Sequence, residues 1–290
     1  MVVMIAVIAG AVVGGTVALL ARRWPAIEAP RVSAPEIAEQ VEAHPRFADH
    51  LRGRFDPKTE TGVALIVATV VVGAAAVGIG VVIAMIRSKT GLAKYDIRLA
   101  QYGADHATRW STNAMRNISR LGGTPAVVIL ALIATVFEMF RKPSRALPLF
   151  MVLVVGGQFA LSNGIKYIVE RARPDVSRLT GFAGTSFPSG HSTAASATFA
   201  AIALILTRNR SRRSKIAGAS IAAGIAVTVA ATRVFLGVHW FTDVIAGLLL
   251  GWGWFVLCSI AFGGRLLTFG QPVATAAAVA EASPAATVGS

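Results

Sequence analysis

Residues 166–192 read KYIVERARPDVSRLTGFAGTSFPSGHS, a polar and basic stretch that joins two apolar runs of the chain. Near its start, six residues separate Lys166 from the pair Arg173-Pro174, and the sequence Pro-Ser-Gly-His follows at 188–191. Long apolar runs on both sides indicate helices that cross a membrane. We therefore expect this stretch to lie where two such helices meet the membrane surface.

The composition of the whole chain supports a membrane location. Its 290 residues are 54% hydrophobic and only 14% charged, with a mean hydropathy of +0.64. A soluble core of this size cannot bury that much apolar surface. The expected fold class is all-α, a polytopic transmembrane helix bundle. Cys258 is the only cysteine in the sequence, so an intrachain disulfide is excluded.

The formal net charge of +14 raises the question of a nucleic-acid partner. In a membrane protein, excess Lys and Arg mark cytoplasmic loops and attract anionic lipid headgroups. No basic stripe interleaved with aromatic residues occurs outside the loops. We therefore expect membrane lipids, and no nucleic acid, as partners.

Seven windows are long and apolar enough to cross a bilayer, which requires about 20 helical residues per crossing. The segment 87–123 is too polar to span and is expected to form helices that lie on the membrane face. The seven windows lie at about residues 1–20, 62–86, 124–140, 146–166, 190–207, 216–233 and 240–262.

These windows divide the chain into four parts. Residues 1–21 form an N-terminal transmembrane helix, and because Arg22 and Arg23 follow its apolar stretch, the pattern favours a retained helix over a cleaved signal. The next part, 22–61, is a polar connection. The main helical core covers 62–264, and the Ala-, Pro- and Ser-rich tail at 265–290 is expected to be disordered.

The short loops predict the orientation of the helices. Two basic clusters, at 141–145 and 208–215, are separated by two crossings and therefore share a side, which their Lys and Arg residues assign to the cytoplasm. The same parity assigns loops 167–189 and 234–239 to the other side, where they face each other. We therefore expect an extracytoplasmic site, and the short loops and Ala/Val/Gly-rich helices are typical of a bacterial inner membrane.

The first half of the candidate site is a set of phosphate ligands. Arg173 presents a planar fork that can hold two phosphate oxygens, and Lys166 adds a compact charge from a helix end, which the proline after Arg173 is expected to terminate. Ser189 and Gly190 stand at the predicted start of the next helix, where free N–H groups and the helix dipole favour an anion. In the same turn, His191 can protonate a leaving alkoxide as a general acid.

The second half consists of Arg233, His239 and Asp243. If His239 opens the last helix, Asp243 lies one turn later on the same face and can accept a hydrogen bond from one imidazole nitrogen. The other nitrogen is then unprotonated and can act as a nucleophile. Arg233 supplies a third cation for the oxygens of a five-coordinate phosphorus. This chemistry requires no metal and no other cofactor.

The motifs K-x6-RP at 166–174, PSGH at 188–191 and R-x5-H-x3-D at 233–243 resemble the signature of the type 2 phosphatidic acid phosphatase (PAP2) superfamily. That superfamily includes lipid phosphate phosphatases, undecaprenyl-pyrophosphate phosphatases and vanadium haloperoxidases. The resemblance covers about residues 60–262 and implies a six-helix PAP2-like phosphatase core, to which the first helix is an addition.

The resemblance also implies a role for each motif residue. His239 would be the nucleophile that forms a phosphohistidine, Asp243 its orienting partner, and His191 the acid. The implied phosphate ligands are Lys166, Arg173, Ser189, Gly190 and Arg233.

The implied function is an integral membrane phosphatase that removes the terminal phosphate of a lipid phosphate or an isoprenoid pyrophosphate. The sequence does not separate polyprenyl pyrophosphate, phosphatidic acid and phosphatidylglycerol phosphate, and it leaves the oligomeric state open. One alternative is a lipid phosphotransferase, in which an acceptor hydroxyl intercepts the same phosphohistidine. Another is a non-catalytic protein that binds or transports phospholipids. A haloperoxidase is disfavoured because the apolar runs make a membrane protein and halide oxidation needs vanadate.

Other residues receive structural interpretations. Arg171 and Arg178 are interpreted as interfacial side chains whose charged ends reach water. Glu138 lies inside an apolar window, and its position near the cytoplasmic end indicates the same behaviour. Gly247 and Gly251 form a pair of small residues one turn apart, expected to pack helices within the bundle.

Overall fold

The computed structural model of the chain describes residues 1–23 and 60–262. The predictions for the polar connection and the C-terminal tail therefore concern residues almost entirely outside the described part. The described part contains nine α-helices, a short 3-10 helix at Gly91–Tyr95 and no β-strand. The α-helices are α1 (Val2–Arg23), α2 (Glu60–Ser88), α3 (Asp96–Asp105), α4 (Arg109–Arg120), α5 (Thr124–Arg141), α6 (Ala146–Val169), α7 (Gly190–Thr207), α8 (Arg212–Phe235) and α9 (Phe241–Ala261).

The prediction of an all-α transmembrane bundle is confirmed. Seven of these helices are long and apolar enough to cross a membrane: α1, α2 and α5 to α9. They match the seven windows, with ends that differ by at most four residues. The largest difference is at α8, which begins at Arg212 because the Ser211 hydroxyl accepts a hydrogen bond from the Ser214 N–H and caps the helix there.

Helix α7 occupies the centre of the bundle. It packs against α5, α6, α8 and α9, while α1 lies against the outside of α8 and α2 against the outside of α9. Small residues allow close approach: a Cβ atom built at Gly247 of α9 would lie only 2.7 Å from the Ser189 carbonyl oxygen. Gly247 and Gly251 thus pack α9 against α7, as predicted from their spacing.

The polar segment between α2 and α5 covers one end of this bundle. Helices α3 and α4 pack against the C-terminal half of α8, and Met115 of α4 is fully buried together with Leu236 and Val238, which follow α8 in the chain. A reciprocal pair of hydrogen bonds between Thr108 and Ser111 caps the start of α4. The segment therefore forms helices, as predicted, and holds the loop that leads from α8 to α9.

The loops fall at the two ends of the bundle as their parity predicted. At one end, the Leu179 N–H donates to the Leu236 carbonyl oxygen at 3.0 Å, which joins the α6–α7 loop to the α8–α9 loop. At the other end, the Arg208 guanidinium donates to the Lys142 carbonyl oxygen at 2.7 Å, which joins the two basic clusters. The two loops that carry the motifs therefore share one end.

The interpretation of Glu138 as a side chain that reaches water is wrong. Glu138 is only 2% exposed, and its carboxylate forms ion pairs of 3.2 Å with Arg141 and with Arg208. The basic loop after α7 folds back over the end of α5, so the carboxylate is neutralised where it lies. A buried carboxylate in an apolar helix requires this kind of pairing.

Helix α1 is packed closely enough for a glycine substitution to test it. A Cβ atom at Gly10 would lie 2.5 Å from the Gly224 carbonyl oxygen of α8, whereas a Cβ atom at Gly15 would meet nothing within 4 Å. We expect Gly10→Ala to lower stability by about 1–3 kcal/mol, because overpacking forces the backbones apart. Thermal unfolding in detergent measures this effect, and Gly15→Ala is the matched control. Equal melting temperatures for the two variants would contradict the α1–α8 contact.

Candidate active site

The predicted site residues come from four parts of the chain that meet at one end of the bundle. Lys166 lies near the end of α6, Arg173 in the loop after it, and Arg233 near the end of α8. Ser189, Gly190 and His191 form the start of α7, and His239 and Asp243 flank the start of α9. The structure brings all eight together, although 77 positions separate Lys166 from Asp243 in the sequence.

Arg173 is held in place by backbone carbonyl groups. Its guanidinium donates to the carbonyl oxygens of Gly184 at 3.0 Å, Ala183 at 2.7 Å and Val238 at 2.6 Å. Nη1 also lies 3.3 Å from Nε2 of His239. The loop after α6 thus wraps around its own arginine and presents the charge beside the imidazole.

The expectation that Pro174 ends the helix is wrong. Helix α6 ends at Val169, and Glu170 adopts the left-handed conformation with φ 45°. Arg173 therefore extends from the loop rather than from a helix terminus, which allows its guanidinium to reach the carbonyl oxygens around it.

Arg233 is almost completely buried, with 4% exposure. Its Nη1 donates to the Ser119 hydroxyl of α4 at 2.8 Å, whereas its Nε has no hydrogen-bond partner among residues 1–23 and 60–262. A buried guanidinium N–H without a partner is costly unless a ligand completes it. The geometry therefore leaves one donor of Arg233 for an anion.

The two nitrogens of His239 have different surroundings. Nδ1 lies 3.6 Å from Oδ2 of Asp243 and 3.5 Å from the Ser186 hydroxyl, which itself donates to the same carboxylate oxygen. Nε2 faces Arg173, which has only donors. These surroundings favour a proton on Nδ1 and a lone pair on Nε2, the arrangement expected from the spacing of His239 and Asp243.

His239 precedes α9 rather than opening it. The helix begins at Phe241 with Trp240 as its N-cap residue, because the Trp240 N–H donates to Oδ2 of Asp243 at 3.0 Å. The same carboxylate thus fixes the start of the helix and lies beside the imidazole. Burial lowers the pKa of His239 to about 4, although the hydrogen bond and charge of Asp243 act in the opposite direction. The imidazole is consequently neutral at pH 7.

The remaining predicted ligands surround the same space. Lys166 Nζ donates to the Thr185 carbonyl oxygen at 3.0 Å, and the Ser189 hydroxyl, fully buried, accepts a hydrogen bond from Ser192 at 3.0 Å. Gly190 is the first residue of α7, and a Cβ atom there would meet only Ser162 at 3.8 Å. The start of the helix is therefore open to an anion.

His191 completes the group. It lies in the first turn of α7, within electrostatic range of His239 and of the cationic groups of Lys166, Arg173 and Arg233. The glycine pair at 122–123 covers it from the α4–α5 turn, where a Cβ atom at Gly123 would lie 3.7 Å from Nε2 of His191. Two imidazoles and three cations thus share one small volume.

The sequence analysis missed several polar residues at this site, and one interpretation was wrong. The charged end of Arg171 is not solvated as expected: its side chain is only 15% exposed and forms ion pairs with Asp96 at 2.7 Å and Asp243 at 2.6 Å. Arg178 is exposed and lies over the Phe182 ring. The residues that were missed belong to none of the three motifs, so nothing in the sequence indicated that they lie at the site. They are Asp96, Ser119 and Ser186.

Chemically, the arrangement suits a phosphate group in the act of substitution. Three fixed cations and a helix N-terminus can neutralise its equatorial oxygens. The unprotonated nitrogen of His239 is positioned as a nucleophile, and the second imidazole can exchange a proton with a leaving oxygen.

Comparisons with known proteins agree with this geometry. The sequence model of the PAP2 superfamily matches residues 147–266. The chain is 36% identical over 146 residues to phosphatidylglycerophosphatase B of Bacillus subtilis, an alignment that covers 49% of this chain and 70% of that protein. It is 40% identical over 144 residues to lipid A 1-phosphatase of Rhizobium etli, covering 43% of this chain and 56% of that protein.

A solved structure shows the same likeness. The crystal structure of a transmembrane PAP2-type phosphatidylglycerolphosphate phosphatase from Bacillus subtilis superposes with a TM-score of 0.59 at 30% sequence identity, covering 64% of this chain and 92% of that one. The motifs, the helix bundle and these relatives together establish that the chain is a multi-pass membrane protein of the PAP2 superfamily.

Proposed function

We propose that the protein is a lipid phosphatase that works through a phosphohistidine on His239. The observation that carries this proposal is the 3.3 Å contact between Arg173 Nη1 and His239 Nε2. It puts a phosphate-binding cation beside the lone pair of a neutral imidazole, while Asp243 lies on the other side of the ring. Attack on phosphorus needs a nucleophile with a cationic ligand for the phosphate oxygens directly beside it.

In the first step, Nε2 of His239 attacks the phosphorus and the bond from phosphorus to the leaving oxygen breaks. His191 donates its proton to that oxygen, and Asp243 stabilises the positive charge that develops on the His239 ring. Lys166, Arg173 and Arg233 bind the three equatorial oxygens, together with the Ser189 hydroxyl, which accepts from Ser192 and can still donate its own proton, and the backbone N–H of Gly190. The unpartnered Nε of Arg233 supports its part in this binding.

In the second step, water attacks the phosphohistidine. His191, now unprotonated, accepts the proton from the water, and the P–N bond breaks to release inorganic phosphate and regenerate neutral His239. Each step is an in-line displacement, so the phosphorus is inverted twice. No step requires a metal ion, because side-chain and backbone donors supply the positive charge.

A lipid substrate fits the surroundings of the pocket. Tyr167 and Ile168 follow Lys166 directly and are each 82% exposed, so an apolar face of α6 borders the cations. An apolar tail can remain in the membrane along this face while the headgroup enters between the loops. The relatives named for phosphatidylglycerophosphate and lipid A support a lipid phosphate, and isoprenoid pyrophosphate belongs to the same chemical class. We assign the site to the extracytoplasmic face of the inner membrane because the basic clusters lie at the other end.

Phosphate release from a panel of lipids tests this function. We expect the purified chain, in detergent, to release inorganic phosphate from at least one of phosphatidic acid, phosphatidylglycerol phosphate, lipid A 1-phosphate and undecaprenyl pyrophosphate. Activity should be the same with and without EDTA, because the proposed phosphate ligands are amino-acid groups. Strict dependence on an added divalent metal would contradict the mechanism. Loss of the lipid phosphate only in the presence of an acceptor alcohol, with the phosphate recovered as an ester of that alcohol, would indicate a phosphotransferase.

A further inference from the structure

We propose that Arg171 and Asp96 form a charged clamp that positions Asp243, and through it the nucleophilic imidazole. This inference rests on the proposed function of His239. Neither clamp residue is a defining residue of the three motifs: Arg171 occupies an unspecified position inside 166–174, and Asp96 lies outside the region matched by the superfamily model. We therefore assign the polar segment between α2 and α5, where Asp96 begins α3, a part in the reaction as well as in folding.

The clamp is a continuous chain of short contacts. Arg171 Nη1 donates to Oδ1 of Asp243 at 2.6 Å, and its Nη2 donates to Oδ2 of Asp96 at 2.7 Å. One planar guanidinium thus joins two carboxylates from α3 and α9. Its plane also lies over the Trp240 ring, with Cζ 5.2 Å from the ring centroid. The fork geometry and the stacking are properties that lysine does not share.

The two carboxylate oxygens of Asp243 have different partners. Oδ1 is bound to Arg171, which leaves Oδ2 for the Ser186 hydroxyl, the Trp240 N–H and Nδ1 of His239. If Arg171 were absent, nothing else in the described structure would hold Oδ1 by an ion pair. The carboxylate could then rotate, and Oδ2 would no longer be fixed beside the imidazole.

Burial explains why a full positive charge is needed here. Asp243 is fully buried and Asp96 is 4% exposed. A buried carboxylate without a counter-charge costs several kcal/mol. Arg171 is the ion-pair partner of both carboxylates, so the pair of acids and the single arginine form one unit.

Asp96 adds a second restraint, on the start of α9. Its carboxylate accepts hydrogen bonds from the Thr242 N–H at 2.9 Å and from the Thr242 hydroxyl at 2.7 Å. It therefore caps the first turn of α9 from a different helix, and a carboxylate is the favoured partner at a helix N-terminus. Because His239 lies two residues before α9, this cap fixes the backbone on which the nucleophile sits.

Kinetics of three variants test the clamp. With a lipid phosphate that the wild type hydrolyses, we expect Arg171→Met to lower kcat by about 100-fold, the scale of a misplacement of roughly 1 Å at a reacting group. KM should change little, because Arg171 is not a phosphate ligand. Asp96→Asn keeps the size of the side chain but removes its charge, so kcat should fall less than with Arg171→Met. Arg171→Lys should restore part of the loss.

The matched controls lie on the same helix as Asp96. Arg98 is exposed, and Asp105 is exposed with a hydrogen bond only to Gln101. Arg98→Met and Asp105→Asn make the same chemical changes without touching the clamp. Both should retain the wild-type kcat.

A spectroscopic measurement tests the clamp without any turnover. In the full chain labelled with ¹⁵N-histidine, His239 should give the signals of a neutral ring protonated on Nδ1, assigned by their loss in His239→Ala. We expect Arg171→Met and Asp96→Asn to shift these signals or broaden them into two tautomers, while Arg98→Met leaves them unchanged.

The possible outcomes separate the two proposals. If no lipid phosphate is hydrolysed by the wild type, the proposed function fails, and the ¹⁵N signals still decide on the clamp. Wild-type kcat and wild-type His239 signals in Asp96→Asn would overturn the clamp even if Arg171→Met did not fold. A change in KM without a change in kcat would also overturn the clamp, since the two residues would then act on substrate binding.

Discussion

Replacement of His239 by alanine is expected to abolish phosphate release, with a loss on the order of 10⁶-fold, the scale found when a covalent nucleophile is removed. No other imidazole can replace it: in the described structure, His191 is the only other histidine at the site, and its proposed task is proton transfer. The side chain is 2% exposed, so thermal unfolding should accompany the assay to show that the variant is folded. His106→Ala is the matched control, because His106 is exposed directly after the end of α3.

The covalent intermediate gives this prediction a direct measurement. When the wild type is mixed with ³²P-labelled lipid phosphate and quenched in alkali, the protein should carry an acid-labile label on His239. His239→Ala should carry none, whereas His106→Ala should be labelled like the wild type. Label on another residue, or turnover by His239→Ala within tenfold of the wild type, would contradict the mechanism.

His239 can lie among several cations because its imidazole is neutral and is therefore not repelled by them. Burial and the positive groups around the ring oppose a second proton, and the pKa of about 4 reflects this. The lone pair is therefore available at neutral pH without a separate base to remove a proton. Arg233 and Arg173, which add to the effect of burial in opposing a second proton, are also proposed ligands of the phosphate oxygens. Under this proposal, one arrangement of charge both keeps the nucleophile neutral and binds the anion.

The sequence could predict the convergence of the motifs because its constraints are simple. Apolar windows set the number of crossings, and the number of crossings sets which loops share an end. Arg173 and His239 are in loops of equal parity, and each lies next to a helix end. The sequence could therefore predict that Arg173 and His239 lie at the same end of the bundle, but not that their side chains approach to 3.3 Å.

Arg171 shows why the rest could not be predicted. An arginine just beyond the end of a transmembrane helix is usually an interfacial residue, even when it lies two positions from a proposed phosphate ligand. Its burial depends on Asp96, which lies 75 positions earlier in a segment without a recognisable motif. Glu138 is a similar case, since its partner Arg208 comes from a loop 70 positions later. Long-range pairing of charges leaves no periodic trace in the sequence.

Removal of His191 should make the rate depend on the leaving group. A general acid is worth about 10²–10⁴-fold when the leaving oxygen is a poor one, such as the alkoxide of a lipid phosphate. It is worth little when the leaving group needs no proton, as with p-nitrophenyl phosphate. We therefore expect His191→Ala to form the phosphohistidine far more slowly than the wild type from alkyl phosphates and only slightly more slowly from the aryl ester. Hydrolysis of the phosphohistidine, in which His191 is the proposed base, should slow equally for both, so the rates compared are those of phosphohistidine formation.

The ratio of the two rates separates acid catalysis from a structural role. His191 lies in the first turn of α7, the helix that begins with Gly190, a proposed phosphate ligand. If alanine at 191 merely disturbed that turn, binding of both substrates would suffer, and the two activities would fall by the same factor. An unequal fall, with the phosphohistidine still formed from the aryl ester, is the result that proton donation by His191 requires. His106→Ala again serves as control and should leave the ratio at its wild-type value.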